Sequence, residues 1–131
     1  MISRSCRAAL LALTVAMAAP PAHAGAADYI FEPVHAEVKS GDSSELAVRL
    51  IHKPTGKPVA DAVLFRTRLD MGPDGMGSMT ARHTAMPSQE AGVYRFKADL
   101  TMEGAWALRI MAKVQGEAET VQGVALFQAK N

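Results

Sequence analysis

The sequence predicts an all-β fold, an immunoglobulin-like antiparallel β-sandwich of about seven strands. Three observations carry this reading. No stretch sustains a helical period of apolar residues. Short runs alternate apolar and polar residues, as half-buried strands do. Turns rich in Gly, Pro, Asp and Ser separate these runs every ~8–12 residues. A small barrel is the alternative arrangement.

The elements follow in order. Tyr29 to Ser40 reads as an extended first segment, bent or broken at Pro33, with Val34, Ala36 and Val38 on one face. Gly41-Asp42-Ser43 is a turn, and Leu46, Val48 and Leu50 then alternate with Ala47, Arg49 and Ile51. Lys53 to Pro58 carries two prolines and a glycine and reads as a turn. Val63, Phe65, Thr67 and Leu69 form the apolar face of the next strand. Met71 to Ser78 holds three glycines and a proline, which excludes a regular strand there. Met79 to Met86 is expected as a short edge strand ended by Pro87. Tyr94, Phe96, Ala98 and Leu100 alternate with Arg95, Lys97 and Asp99, and Trp106, Leu108 and Ile110 follow the Glu103-Gly104 turn. Thr120 to Ala129 is the last strand. The expected core joins Phe65, Tyr94, Phe96, Trp106 and Leu108.

The chain has 131 residues, 49% of them hydrophobic, which fits one domain with a packed core. Residues 1–24 stand apart. Arg4 and Arg7 precede Ala8 to Ala19, a run dominated by Ala, Leu, Val and Met, and Pro20-Pro21 breaks it before Ala22-His23-Ala24. This is the pattern of a secretory signal peptide cut after Ala24, leaving a single domain over 25–131. The run is well short of the ~20 residues needed to span a bilayer. Cys6 precedes the run and is not placed to carry a lipid after it. A periplasmic location without stable membrane insertion after cleavage is therefore expected.

Cleavage at that point leaves twelve bases against thirteen acids, a net charge of −1. That balance speaks against a nucleic-acid partner. The remaining chain has no cysteine, so no disulfide holds it together. It keeps six methionines and three histidines.

Candidate chemistry concentrates where the strand pattern fails. Met71, Met76 and Met79 lie in a Gly-rich segment, followed by His83 and Met86. A thioether is a soft, neutral ligand that favours Cu(I) or Ag(I) over Zn(II), Mg(II) or Ca(II). Glycines allow separated sulfurs to converge. Residues four apart in a regular strand lie ~13 Å from each other. Met71, Met76 and Met79 are thus the expected set, with His83 or Met86 joining only where the strand is irregular. The competing reading is a pliable apolar lid or a soft docking surface. His35 and His52 are isolated and expected to face solvent. Met102 shares the inward parity of Leu100 and is expected in the core, whereas Met111 is expected at the surface. Asp70 and Asp74 flank Pro73 and are suited to accept backbone hydrogen bonds. Arg66 and Arg68, with Arg95 and Lys97, read as a solvated sheet face or a weak protein-contact patch. No Gly-x-Ser-x-Gly elbow, phosphate loop, His-Glu-x-x-His motif or nucleophilic cysteine is present, so an enzyme is not expected.

An ordered series of short motifs runs through the chain. It comprises Gly56 to Ala62, the Met/Gly segment from Asp70 to Met79, Gly92-Val93-Tyr94, and Met102-Glu103-Gly104-Ala105-Trp106. The series resembles the YtkA-like/FixH-like family of extracytoplasmic domains from about Val34 to Phe127. The resemblance implies an immunoglobulin-like sandwich that partners heavy-metal efflux systems or copper-oxidase assembly. By resemblance, Met71, Met76 and Met79 match the Met-rich loop and Trp106 the core tryptophan. FixH-type members carry an N-terminal membrane anchor, where this chain has a cleavable signal. The expected function is a soluble periplasmic protein that binds Cu(I) or Ag(I) and buffers it or passes it to a metal-efflux or assembly system. The expected partner is a periplasmic adaptor or another efflux component. The alternative is a metal-independent module docking on such a partner.

Overall fold

The computed structural model describes residues 26–131; the signal peptide expected over 1–24 lies outside the described residues. Ten strands are found among the described residues: β1 Tyr29–Pro33, β2 Glu37–Lys39, β3 Gly41–His52, β4 Lys57–Pro58, β5 Val63–Met71, β6 Met76–Thr80, β7 His83–Met86, β8 Val93–Leu100, β9 Gly104–Lys113 and β10 Val121–Lys130. They form two sheets. The first runs β1-β3-β8-β7, with β4 on β3; the second runs β2-β10-β9-β5-β6. All neighbours pair antiparallel except β2, which is parallel to β10. This is the strand order of an immunoglobulin-like sandwich. β1 and β2 divide the expected first segment, β6 and β7 divide the strand expected over Met79 to Met86, β4 is a short addition, and Gly41 to Ser43, expected as a turn, begin β3.

Pro33 ends β1, and the chain changes sheets before β2 begins. Proline has no N–H to extend the ladder. The expected break there is thus a crossing between layers. Leu46, Val48 and Leu50 on β3 and Phe96, Ala98 and Leu100 on β8 bury the face of the first sheet. Leu69, Trp106, Leu108, Ile110 and Phe127 bury the facing side of the second.

Phe65 corrects the sequence reading. It is 49% exposed and lies outside the core. The β5–β9 register shifts between Leu64 and Arg66, so Phe65 sits at a bulge. An extra residue reverses which side chains face inward. Leu64 points inward before the bulge and Thr67, Leu69 and Met71 after it, as their burial shows. Tyr94 is only partly buried, but it packs against the core.

Gly123 on β10 faces Phe31 of the opposite sheet. A Cβ there would collide with the Phe31 ring. Phe31 is 2% exposed and packed in the core. Gly123→Ala is expected to cost about 2 kcal/mol by overpacking, read as a lower urea midpoint at unchanged slope.

Candidate functional site

The segment that broke the strand pattern folds as a tight hairpin rather than an open loop. Pro73 sits in a single 3-10 turn, Gly72–Asp74, which Gly75 closes at φ 74°, a left-handed conformation that suits glycine. The Gly75 N–H donates to the Gly72 carbonyl at 2.9 Å. Met76 to Thr80 then return as β6 along the edge of the second sheet, contrary to the expectation that Met71 to Ser78 holds no strand. Arg68 donates from Nη2 to the Gly77 carbonyl at 2.8 Å and holds this edge in place.

The candidate ligands fall in different environments. Met71 is fully buried in the core. Met76 lies directly opposite it on β6. Met79 is three residues further on, within a register shift that interrupts the β5–β6 ladder. Met76 and Met79 are both about one-third exposed. His83 opens β7 in the other sheet. Its Nδ1 donates to the Ala81 carbonyl at 3.1 Å, because a carbonyl can only accept. Nε2 is hydrogen-bonded to the Thr67 hydroxyl at 2.6 Å, a bond that ties β7 to β5 across the two sheets. Met86 lies opposite Arg95 at the far end of β7. The fold sets Met71 opposite Met76 and places His83 and Met86 on the other sheet.

Met102 lies at the same end of the sandwich as Met71 and Met76. It lies in the turn between β8 and β9 and is 40% exposed, not in the core. Its carbonyl accepts the Trp106 indole N–H at 3.1 Å. Two residues on, Gly104 has φ 137°, and a Cβ there would lie 2.6 Å from the Met71 Cε and collide with the Asp74 carboxylate. The Ala105 N–H donates to that carboxylate at 2.8 Å. The Gly72–Asp74 turn thus rests on the β8–β9 turn, and Met71, Met76 and Met102 gather at one end of the sandwich. Parity with Leu100 hid Met102, because strand alternation stops where β8 ends. Among the described residues, no group of three or more His, Asp and Glu is placed to hold a metal ion. The donors at this end are thioethers, which suit a soft monovalent ion.

Asp70 lies beside this end. Its side chain is 3% exposed, and both oxygens are occupied. Arg109 Nε donates to Oδ2 at 2.8 Å and Nη2 to Oδ1 at 3.3 Å. Arg68 Nε donates to Oδ2 at 3.0 Å and the Gly72 N–H to Oδ1 at 2.9 Å. The Arg109 hydrogen bonds lead in lowering its pKa from 3.8 to about 2, against the effect of burial. The expected backbone-accepting roles of Asp70 and Asp74 are both present, but sequence reasoning did not foresee the arginine pair.

A cleft of about 690 Å³ opens between the start of β5 and the β7–β8 pair. Tyr94 forms one wall. Its hydroxyl donates to the Val59 carbonyl at 2.8 Å and accepts the Ala62 N–H at 3.0 Å. Burial pushes its phenol above the ordinary value. Asp61 at the mouth has φ 62°, an unusual conformation for a non-glycine residue. His35 is exposed as expected, whereas His52 is partly covered by Tyr29, its ring centroid 5.1 Å away.

These features define a small immunoglobulin-like domain with thioethers at one end and an open cleft along one side. The chain belongs to the YtkA-like family, which matches residues 23–111. No match was found among curated proteins. Among solved structures, the ZirS C-terminal domain aligns with 100% of this chain and 82% of its own, at 10% identity and a TM-score of 0.44.

Proposed function

We propose that this chain is a periplasmic accessory protein that binds Cu(I) or Ag(I) weakly and buffers it or passes it to a metal-efflux or assembly system. The observation that carries the reading is the placement of Met76 opposite Met71, at the end of the sandwich where the Met102 turn also lies. Met76 and Met102 are the exposed donors, and Met71 backs them from the core. Thioethers need no deprotonation, so such a site accepts and releases its ion across the whole physiological pH range. Few, shallow donors favour transfer over storage. Membership of the YtkA-like family and the predicted signal peptide support an extracytoplasmic role.

Titration of the chain from Gly25 to Asn131 with Cu(I) against a competing chelator tests this. Leucine conserves methionine's volume closely enough to keep the fold. The Met76→Leu/Met102→Leu variant is expected to lose affinity by about tenfold or more, whereas Met86→Leu stays within about twofold. Equal affinity in all three proteins overturns the reading. The open cleft, with Val63 62% and Met86 37% exposed beside it, favours a second reading, a metal-independent docking module. Partner retention undiminished by a Cu(I) chelator distinguishes it.

A further inference from the structure

The charges of the two sheets are unequal. The strands of the first carry four acids (Glu32, Asp42, Glu45, Asp99) and four bases (Arg49, Lys57, Arg95, Lys97). Those of the second carry two acids, Glu37 and Asp70, against Lys39, Arg66, Arg68, Arg109, Lys113 and Lys130. Glu37 is paired with Lys130 at 3.0 Å. Arg66 and Arg68 therefore share no face with Arg95 and Lys97, contrary to the sequence reading; the sandwich separates them.

On the outer face of the second sheet, strand register sets these groups in rows. Arg68 lies beside Arg109 and then Val124; Arg66 lies beside Met111 and then Gln122. Next to them Leu126 is 55% exposed. A groove of about 430 Å³ runs between Arg66, Arg68, Arg109, Met111 and Val124. Asp70 anchors Arg68 and Arg109 from one side, yet their side chains remain 53% and 46% exposed. One carboxylate serves two guanidiniums, and the Arg66 side chain makes no hydrogen bond or ion pair among the described residues. The groove keeps an excess of positive charge, and Asp70 already holds two of its three guanidiniums in position, which lowers the ordering cost of binding.

We infer that this face docks an acidic, partly apolar segment of a partner polypeptide, its carboxylates on Arg66, Arg68 and Arg109 and its apolar side chains on Val124 and Leu126. Guanidinium geometry matches carboxylates in paired hydrogen bonds. The arginines lie on β5 and β9 and the aliphatic side chains beside them on β10, which matches an extended segment that presents acidic and apolar side chains in turn on one face. A second copy of this chain would set like charges against each other. An anionic bilayer meets a domain whose overall charge is slightly negative, whereas a peptide meets only the positive face.

The test uses the chain from Gly25 to Asn131 and a fluorophore-labelled peptide of repeating Glu-Glu-Val-Val, which when extended presents Glu and Val in turn on each face, followed by anisotropy at low salt. Saturable binding is expected, and Arg66→Glu should weaken it by about tenfold or more. Arg95→Glu, on the other sheet, should change it by less than about twofold. Arg66 has no partner to lose, so its variant should melt with the parent. Absence of saturable binding overturns the inference, as does equal binding by the Arg66 and Arg95 variants. Equal binding of a repeating Lys-Lys-Val-Val peptide does the same. Tighter binding to phosphatidylglycerol vesicles than to the peptide, or self-association abolished by Arg66→Glu, overturns it in favour of a membrane or a second copy.

Discussion

Trp106→Ala is expected to lower stability by about 4 kcal/mol. Trp106 is completely buried between the sheets, and its indole N–H is satisfied by the Met102 carbonyl. Truncation leaves a cavity the size of a bicyclic ring in a core whose sheets are held apart by other large side chains. It also frees the turn that carries Met102. For a domain of this size the melting temperature should fall by roughly 20 °C. Trp106→Phe separates the two contributions. It keeps most of the apolar volume but loses the N–H donor, and should cost about 1–2 kcal/mol. Thermal melts followed by far-ultraviolet circular dichroism read both. An alanine variant melting within about 5 °C of the parent would show that the sheets do not close over this residue.

The second large effect is at Asp70. Its pKa is lowered in the folded chain to about 2 from 3.8. Its contribution is therefore fully present above pH 4 and is lost as pH falls through 2. The shift corresponds to about 2 kcal/mol. Asp70→Asn should thus be less stable than the parent by about 2 kcal/mol at pH 7, and the gap should close below pH 2. Urea midpoints measured from pH 7 down to pH 2 check this. A gap that stays constant over that range would assign the loss to packing rather than to the charges of Arg68 and Arg109.

The cleanest strands were legible because each has one buried face. Phe96, Ala98 and Leu100, and Trp106, Leu108 and Ile110, are buried as their alternation predicts. The same rule failed at Phe65, because the bulge beside it leaves no mark in the alternation of Val63, Phe65, Thr67 and Leu69. It failed at Met102, because the residue lies just beyond the strand whose parity it continues. The Met/Gly segment stood out through composition. Composition could not show that Met71 closes the core while Met76 stays at the surface. Arg66 and Arg95 looked like members of one solvated face because each alternates with inward residues on its own strand. Alternation says which side of a sheet a residue takes, not which sheet.

Gly41 to Ser43, expected as a turn, lie in β3, and Met79 to Met86, expected as one strand, divide between β6 and β7 of different sheets; otherwise the sequence by itself determined the all-β class and the principal strands. These depend on short-range physics, namely the two-residue period of strands and the backbone demands of Gly and Pro. Tertiary structure alone decided the sheet crossing after Pro33, the bulge at Phe65, the union of Asp70 with Arg109, and the meeting of Met71 and Met76 with the Met102 turn. Each of these depends on which distant element lies opposite. The partner of Asp70 is 39 residues away, and Ala105, which ties the Met102 turn to Asp74, is 31 residues beyond that carboxylate. Burial and charge pairing at such separations follow from how the two sheets close on each other, and no local pattern records it.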